Sequence, residues 1–124
     1  MAASMQELIT GIYAATSSGG DPTPYLVEDV LVIGTDPDEW WEGRDTVLAN
    51  LERQGETLGL PTMERGSDLR VREFGDTAWF AEHVQATFGD TTVRVRMTGV
   101  AVRQDGEWRF AQFQAAPAME AVQL

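Results

Sequence analysis

The chain predicts an α+β fold, helices first and antiparallel strands after, on three observations. Residues 4–16 place Met5, Leu8, Ile9, Ile12 and Tyr13 at the i, i+3, i+4 spacing of one buried helical stripe. Residues 45–57 set Val47, Leu48 and Leu51 inward in the same way, with Leu58 just beyond. Residues 77–88 and 91–116 alternate instead, the mark of strands with two different faces, around the turn signals Gly89-Asp90 and Asp105-Gly106.

The elements follow in order. Ser4 with Glu7 three residues later is a capping-box start, and Ser17, Ser18, Gly19 and Gly20 end the first helix. Asp21-Pro22 reads as an N-cap with proline at the first helical position, opening a short helix to about Val27. Residues 30–33, VLVI, predict a short buried strand. Residues 34–45, GTDPDEWWEGRD, are too rich in Gly, Pro and Asp for regular structure, yet hold two adjacent tryptophans. Gly59 and Pro61 break the second helix. Residues 68–74 predict a strand, Gly75-Asp76 turns it into the strand at 77–88, and 117–124 is expected to be a loose tail. No linker or repeat divides the chain, so residues 1–124 are expected to form one domain.

A loop of Gln104, Asp105 and Gly106 would set Arg103 opposite Glu107. It pairs Val102 with Trp108, Val100 with Phe110, Thr98 with Gln112 and Arg96 with Gln114. The Gly89-Asp90 turn sets His83 opposite Arg96, Ala81 opposite Thr98 and Trp79 opposite Val100. Trp79, His83, Arg96, Thr98, Gln112 and Gln114 then share one face; Phe80, Val84, Ala86, Phe88, Met97 and Phe113 share the other.

Composition excludes several functions. The 124 residues are long enough for a single core. A net charge of -11 argues against nucleic acid, whose phosphates are bound by clustered cations; all nine basic residues are arginine. Without cysteine there is no disulfide, thiolate nucleophile or Cys-ligated metal. One histidine cannot build a typical zinc site, and Asp36, Asp38, Glu39 and Glu42 do not follow the calcium-loop pattern. They read as a solvated turn with Asp38 capping. Phosphate-loop, dinucleotide and nucleophile-elbow motifs are missing, so no cofactor is called for. Residues 1–17 do not read as a signal peptide, and no apolar run approaches the ~20 residues that span a bilayer. A cytoplasmic protein without a membrane partner is expected.

Three stretches carry a resemblance: VLVIGTDPDEWWEGRD (30–45), GDTAWFAEH (75–83) and RMTGVAVRQDGEWRFAQ (96–112). In this order and spacing, with the N-terminal helix, the chain resembles the SnoaL-like branch of the nuclear transport factor 2-like superfamily. The resemblance implies a cystatin-like cone, a curved, mostly antiparallel sheet wrapped around the helices with a pocket on its concave face. Relatives include isomerases, cyclases, dehydratases and non-enzymatic binding subunits, so the fold alone does not name the reaction. Many relatives dimerise through the convex face. The last strand departs from the family pattern, carrying Gln114 and Ala116 where a His and then a Ser are expected; one base is therefore missing.

These readings place His83 and Arg96 as candidate catalytic residues. A neutral imidazole in a cone serves as general base or hydrogen-bond acceptor, or else as a structural strand-end group. Arg96 needs either a carboxylate partner, with Asp36, Asp38 or Glu39 in reach, or an anionic or enolate ligand. Gln112 and Gln114 would orient a carbonyl or hydroxyl, or satisfy Arg96. Tyr13, Trp40, Trp41, Trp79 and Thr98 complete the ligand-binding set, one tryptophan of the adjacent pair packing inward and the other covering the mouth. A small apolar or aromatic ligand is expected. The apolar set Val84, Phe88, Val95, Met97 and Phe113, placed on the convex face, would close a homodimer. Two functions follow: a cofactor-free isomerase, cyclase or dehydratase working by acid/base catalysis, or a ligand-binding or dimeric assembly module without turnover.

Overall fold

The Ser4 hydroxyl accepts from the Glu7 backbone N–H, the Glu7 carboxylate accepts from the Ala3 N–H, and this reciprocal cap starts α1, Met5–Ser18. The computed structural model describes residues 2–117, Leu58 by its backbone only. After α1 come a single 3-10 turn (Thr23–Tyr25), β1 (Leu26–Ile33), β2 (Trp40–Glu42), α2 (Arg44–Leu58), β3 (Thr62–Arg65), β4 (Arg70–Phe74), β5 (Thr77–Phe88), β6 (Thr91–Gln104) and β7 (Glu107–Pro117). One curved, unclosed sheet runs in the order β2-β1-β7-β6-β5-β3, with β4 also paired to β5. It is antiparallel except where β1 runs parallel to β7.

Several boundaries differ from expectation. No helix forms over 21–27 beyond the 3-10 turn. The Asp21 carboxylate accepts from both the N–H and hydroxyl of Thr23, and Leu26 is already paired with Phe110 of the sheet. The segment 34–45 is not wholly irregular: the Gly34 N–H donates to the Glu39 carbonyl, and Trp40–Glu42 folds back on β1. Strand β3, rich in charge and lying at a sheet edge, was hidden by its lack of apolar alternation. Strand β7 continues through Pro117, which pairs with Val95; the rest of the expected tail lies outside the described residues.

The β6–β7 turn is tighter than the three-residue loop. Asp105 and Gly106 both take positive φ, 53° and 78°, and Gln104 faces Glu107. A bulge then adds a second residue of shift in the same direction, which restores the expected parity but not the expected partners. Ala101 pairs with Phe110 and Val100 with Gln112, leaving Ala111 as the extra residue. Near the turn the pairs are therefore Arg103–Trp108 and Val102–Arg109, and beyond the bulge Thr98 faces Gln114 and Arg96 faces Ala116. Trp108 and Phe110, expected beside Val102 and Val100, lie on the opposite face and are almost wholly buried.

The face packed under α1 is the apolar one. Phe80, Val84 and Ala86 of β5, Val95, Met97 and Ala101 of β6, and Trp108 and Phe110 of β7 are buried in one cluster with Met5, Leu8, Ile9, Ile12 and Tyr13. Phe80, Phe110 and Phe113 form an aromatic triangle with centroids 5.1–5.9 Å apart, and Tyr13 meets Phe113 edge-on at 6.5 Å. Trp108 donates its backbone N–H to the Ala2 carbonyl, and the Arg103 guanidinium covers its ring at 5.2 Å. Burial of this face against α1 is the main stabilising term, at about 25 cal/mol per Å2 of apolar surface.

Gly99 sits where the bulge brings β7 close. A methyl group there would lie 2.9 Å from the Gln112 carbonyl oxygen and 2.9–3.0 Å from the Phe80 and Phe110 rings. Gly99→Ala should therefore overpack the centre of the sheet and cost about 1–3 kcal/mol. An unchanged urea midpoint with unchanged slope would contradict this packing.

Candidate functional site

The expected site residues divide between two environments. Tyr13 and Trp41 are buried in the core, and Trp40 stands 58% exposed on the other side of β2. The inward and outward placement of the two tryptophans follows from strand alternation, Trp41 facing Val32 and Trp40 facing Ile33. Trp79, His83, Arg96, Thr98, Gln112 and Gln114 do share a face, with His83 opposite Arg96 and Thr98 opposite Ala81 on one side and Gln114 on the other. It is the outer face of the sheet, turned away from α1, and not a helix-covered hollow. The reverse correction applies to the expected dimer surface: Val84, Val95 and Met97 are buried on the inner face and Phe113 joins its aromatic cluster. Phe88 follows the same parity and is 39% exposed only because it ends its strand. The cause is one physical preference. The stripe of α1 needs an apolar partner, and the face bearing Phe80, Val84, Val95 and Met97 supplies one, whereas His83, Arg96 and two glutamines would be desolvated there without partners.

Among the described residues one charged residue is buried, Glu82 on the inner face, whose side chain has no exposed surface. Tyr13 donates its hydroxyl to one carboxylate oxygen at 2.9 Å and Arg65 donates Nε to the other at 3.1 Å. Arg65 also stacks over the Tyr13 ring and reaches the Thr10 hydroxyl. Burial, and then the neighbouring Glu82 charge, push the Tyr13 phenol well above its ordinary range, so it stays protonated and donates to Glu82. A cation–carboxylate–phenol chain of this kind ties the edge strand β3 to α1. The signal for it was legible: a single carboxylate in an otherwise apolar alternating run must find a partner.

The outer face holds a second polar arrangement. Between β3 and β4 the chain leaves the sheet at residues 66–69, opposite His83, and Asp68 fills the break. One carboxylate oxygen accepts the His83 backbone N–H at 3.0 Å, and the other lies 2.5 Å from Nδ1 of the same residue. These two hydrogen bonds, the backbone one first, hold the Asp68 carboxyl below the usual carboxylate range. In the neutral imidazole, an ionised Asp68 makes Nδ1 the donor and leaves the lone pair on Nε2. Nε2 has no hydrogen-bond partner among the described residues, and neither does the Arg96 guanidinium.

An open hollow of about 300 Å3 lies here, lined by Asp68, Arg70, Ala81, His83, Arg96 and Thr98 with parts of Glu82 and Met97. That volume is at the lower end of the roughly 300–1,000 Å3 typical of small-molecule sites. Arg70 is steadied at its rim by the carbonyls of Asp68 and Leu69. Sequence reasoning found His83, Arg96 and Thr98 and missed Asp68 and Arg70. A three-strand register cannot say how a break in the fourth strand folds over its neighbour. Gln112 and Gln114 are on this face but do not line the hollow. Among the described residues no cluster of His, Cys, Asp and Glu could hold a metal ion. No helix among the described residues is long and apolar enough to cross a membrane.

A family model described as the SnoaL-like domain matches residues 6–120. The chain belongs to the SnoaL-like family. Solved structures agree on the fold. A nuclear transport factor 2-like protein of unknown function from Pseudomonas putida is 21% identical with a TM-score of 0.79, over 94% of this chain and 85% of that one. A structure from Xanthomonas campestris described as a candidate calcium/calmodulin-dependent protein kinase II association domain is 21% identical with a TM-score of 0.79, over 94% of this chain and 86% of that one. A candidate dehydratase of the nuclear transport factor 2-like family from Streptomyces avermitilis is 19% identical with a TM-score of 0.75, over 91% and 92% of the two chains. Likeness at this identity carries the fold, here the cystatin-like cone, and not the activity. Nothing matches among curated proteins.

The depressed Asp68 carboxyl has a consequence for stability. Its folded value lies below the ordinary one, so its contribution is complete above about pH 4–5 and is lost as pH falls below about 3.9. The stability gap between the SnoaL-like protein and its Asp68→Asn variant, measured by urea titration at several pH values, should be constant near neutrality and close in acid. A gap that persists unchanged to pH 2.5 would contradict the pairing.

Proposed function

We propose that this SnoaL-like protein binds a small oxygenated molecule in the outer-face hollow and moves a proton on it without a cofactor. The observation that carries the reading is the Asp68–His83 pair beside Arg96, which has no partner among the described residues. Asp68 fixes the imidazole so that Nε2 is the base. Abstraction of a proton next to a carbonyl sends the C–H electron pair into an enolate oxygen, and Arg96, with Thr98, stabilises that oxygen. Return of the proton to another carbon completes an isomerisation; loss of a β-hydroxyl as water completes a dehydration. Both are redox-neutral. Two solved structures of this fold described as candidate dehydratases are consistent with the second outcome.

Proton–deuterium exchange checks the reading directly. In D2O, the protein should catalyse exchange of α-protons in at least one of a panel of small ketones and β-hydroxyketones. His83→Gln should lower that exchange by about 10²–10⁴-fold. Exchange that is equally fast in His83→Gln would sink the reading.

A second reading, an assembly module, is favoured by one pair of residues. Trp79 and Val100 face each other across β5 and β6 on the outer face and remain 40% and 38% exposed. A second copy packed there would bury both, and Trp79→Glu should then convert a dimer to a monomer in sedimentation equilibrium. A wild-type chain that stays monomeric at high micromolar concentration would remove this reading.

A further inference from the structure

The charge around the hollow does not match the charge of the chain. The protein carries a net -11, yet four of its nine arginines stand on the outer face of three adjacent strands. Arg70 is opposite Ala81, Arg72 opposite Trp79, Arg94 opposite Gln85 and Arg96 opposite His83. Arg70 and Arg96 line the hollow itself, from the strands on either side of β5. The acid at the rim is Asp68, and both of its oxygens are taken by His83. Glu82 contributes only to the floor, since its carboxylate is turned inward to Tyr13 and Arg65. With imidazole neutral, the groups lining the hollow sum to one positive charge: two guanidiniums against one carboxylate.

We infer that the ligand of this hollow is a small monoanionic carboxylate that also carries a carbonyl, its charge held between Arg70 and Arg96 and the carbon next to that carbonyl presented to Nε2 of His83. The inference rests on the proposed proton-transfer reading, which it narrows by naming the substrate class. A guanidinium presents a planar fork that suits a carboxylate, and two forks from flanking strands hold it across the groove of β5. One surplus positive charge suits a monoanion; a phosphate dianion would overfill it and be repelled by Asp68. Ala81, between Arg70 and Thr98 in the ladder, provides a small apolar floor on which the remainder of the molecule can lie.

The single histidine makes the test clean, because the imidazole C–H signals in a proton NMR spectrum belong to His83 alone. Benzoate and its neutral analogue benzamide are titrated at pH 8 and low salt into the folded full-length chain. Benzoate should shift those signals saturably and bind at least about tenfold more tightly than benzamide. Arg96→Gln and Arg70→Gln, each a change at an exposed side chain, should each remove most of that preference, and raising salt from about 0.05 to 0.5 M should weaken benzoate alone. Equal affinity for benzoate and benzamide, both shifting His83, would overturn the carboxylate assignment and leave the hollow as a ligand site. Inorganic phosphate displacing benzoate at equal concentration would overturn it too, in favour of general anion binding. The absence of any His83 response to benzoate up to tens of millimolar would overturn it outright. Benzoate binding as expected, with α-proton exchange unaffected by His83→Gln, would instead retain the carboxylate site and defeat only the proton-transfer reading.

Discussion

Apolar burial decides which side of the sheet is inside, and Glu82 is the one buried charge that this choice has to accommodate among the described residues. Every other residue that β5, β6 and β7 turn toward α1 is apolar or small through the centre of the face, so burial alone orients the sheet. Glu82 opposes that orientation, because a carboxylate taken from water costs several kcal/mol unless it is paired and hydrogen-bonded. Tyr13 and Arg65 meet this demand from two different elements, the first helix and the edge strand. A salt bridge with one end fully buried is weak evidence of net stabilisation. Its stronger effect is on specificity: turned over, the sheet would leave Tyr13 without an acceptor and the apolar stripe of α1 without a partner.

Once that choice is made, His83, Arg96 and Thr98 are displaced to the outer surface. Alternation along β5 sends His83 outward because Glu82 goes inward, and the same parity carries Arg96 and Thr98 with it. Strand β7 joins this arrangement only through a correction of register. The two-residue turn alone would have put Trp108 and Phe110 inside and brought Phe113 out; the extra residue Ala111 returns Phe113 to the core and keeps Gln112 and Gln114 outside. The bulge thus reconciles two apolar clusters on one strand that have opposite parity, and Gly99 leaves room for it.

Much of this was legible beforehand, and what was not has identifiable causes. The capping box at Ser4, the bounds of β5, and the lateral pairing of His83 with Arg96 were set by local signals: a hydroxyl before a helical stripe, two Gly-Asp turns and strict alternation. The β6–β7 register was misread because both loop lengths satisfy the turn chemistry, and only the buried state of Trp108 and Phe110 distinguishes them. The sides of the sheet were exchanged because the polar set was assigned to the cone on the grounds of chemistry, when transfer free energy favours the apolar set there by a wide margin. Asp68 was invisible for a different reason. Its role comes from a backbone path between two short edge strands, and such a path leaves no periodic trace in sequence.

That path accounts for the site. Were β3 and β4 one continuous strand, the position beside His83 would offer it a backbone carbonyl as acceptor, like the rest of the ladder. The break substitutes a side chain. The Gly66 N–H still donates to the His83 carbonyl at 3.1 Å, so one rung survives, and a Cβ on Gly66 would come within 3.0 Å of that same oxygen. The other rung is replaced by an oxygen of Asp68. Satisfying a strand amide explains that oxygen and no more, because any acceptor would do it. The second oxygen, on Nδ1, has no such structural necessity: the His83 side chain keeps 36% of its surface exposed and could be hydrated there. With both oxygens engaged, the carboxylate fixes the imidazole from one side, and His83 lines the hollow that Arg70 and Arg96 flank.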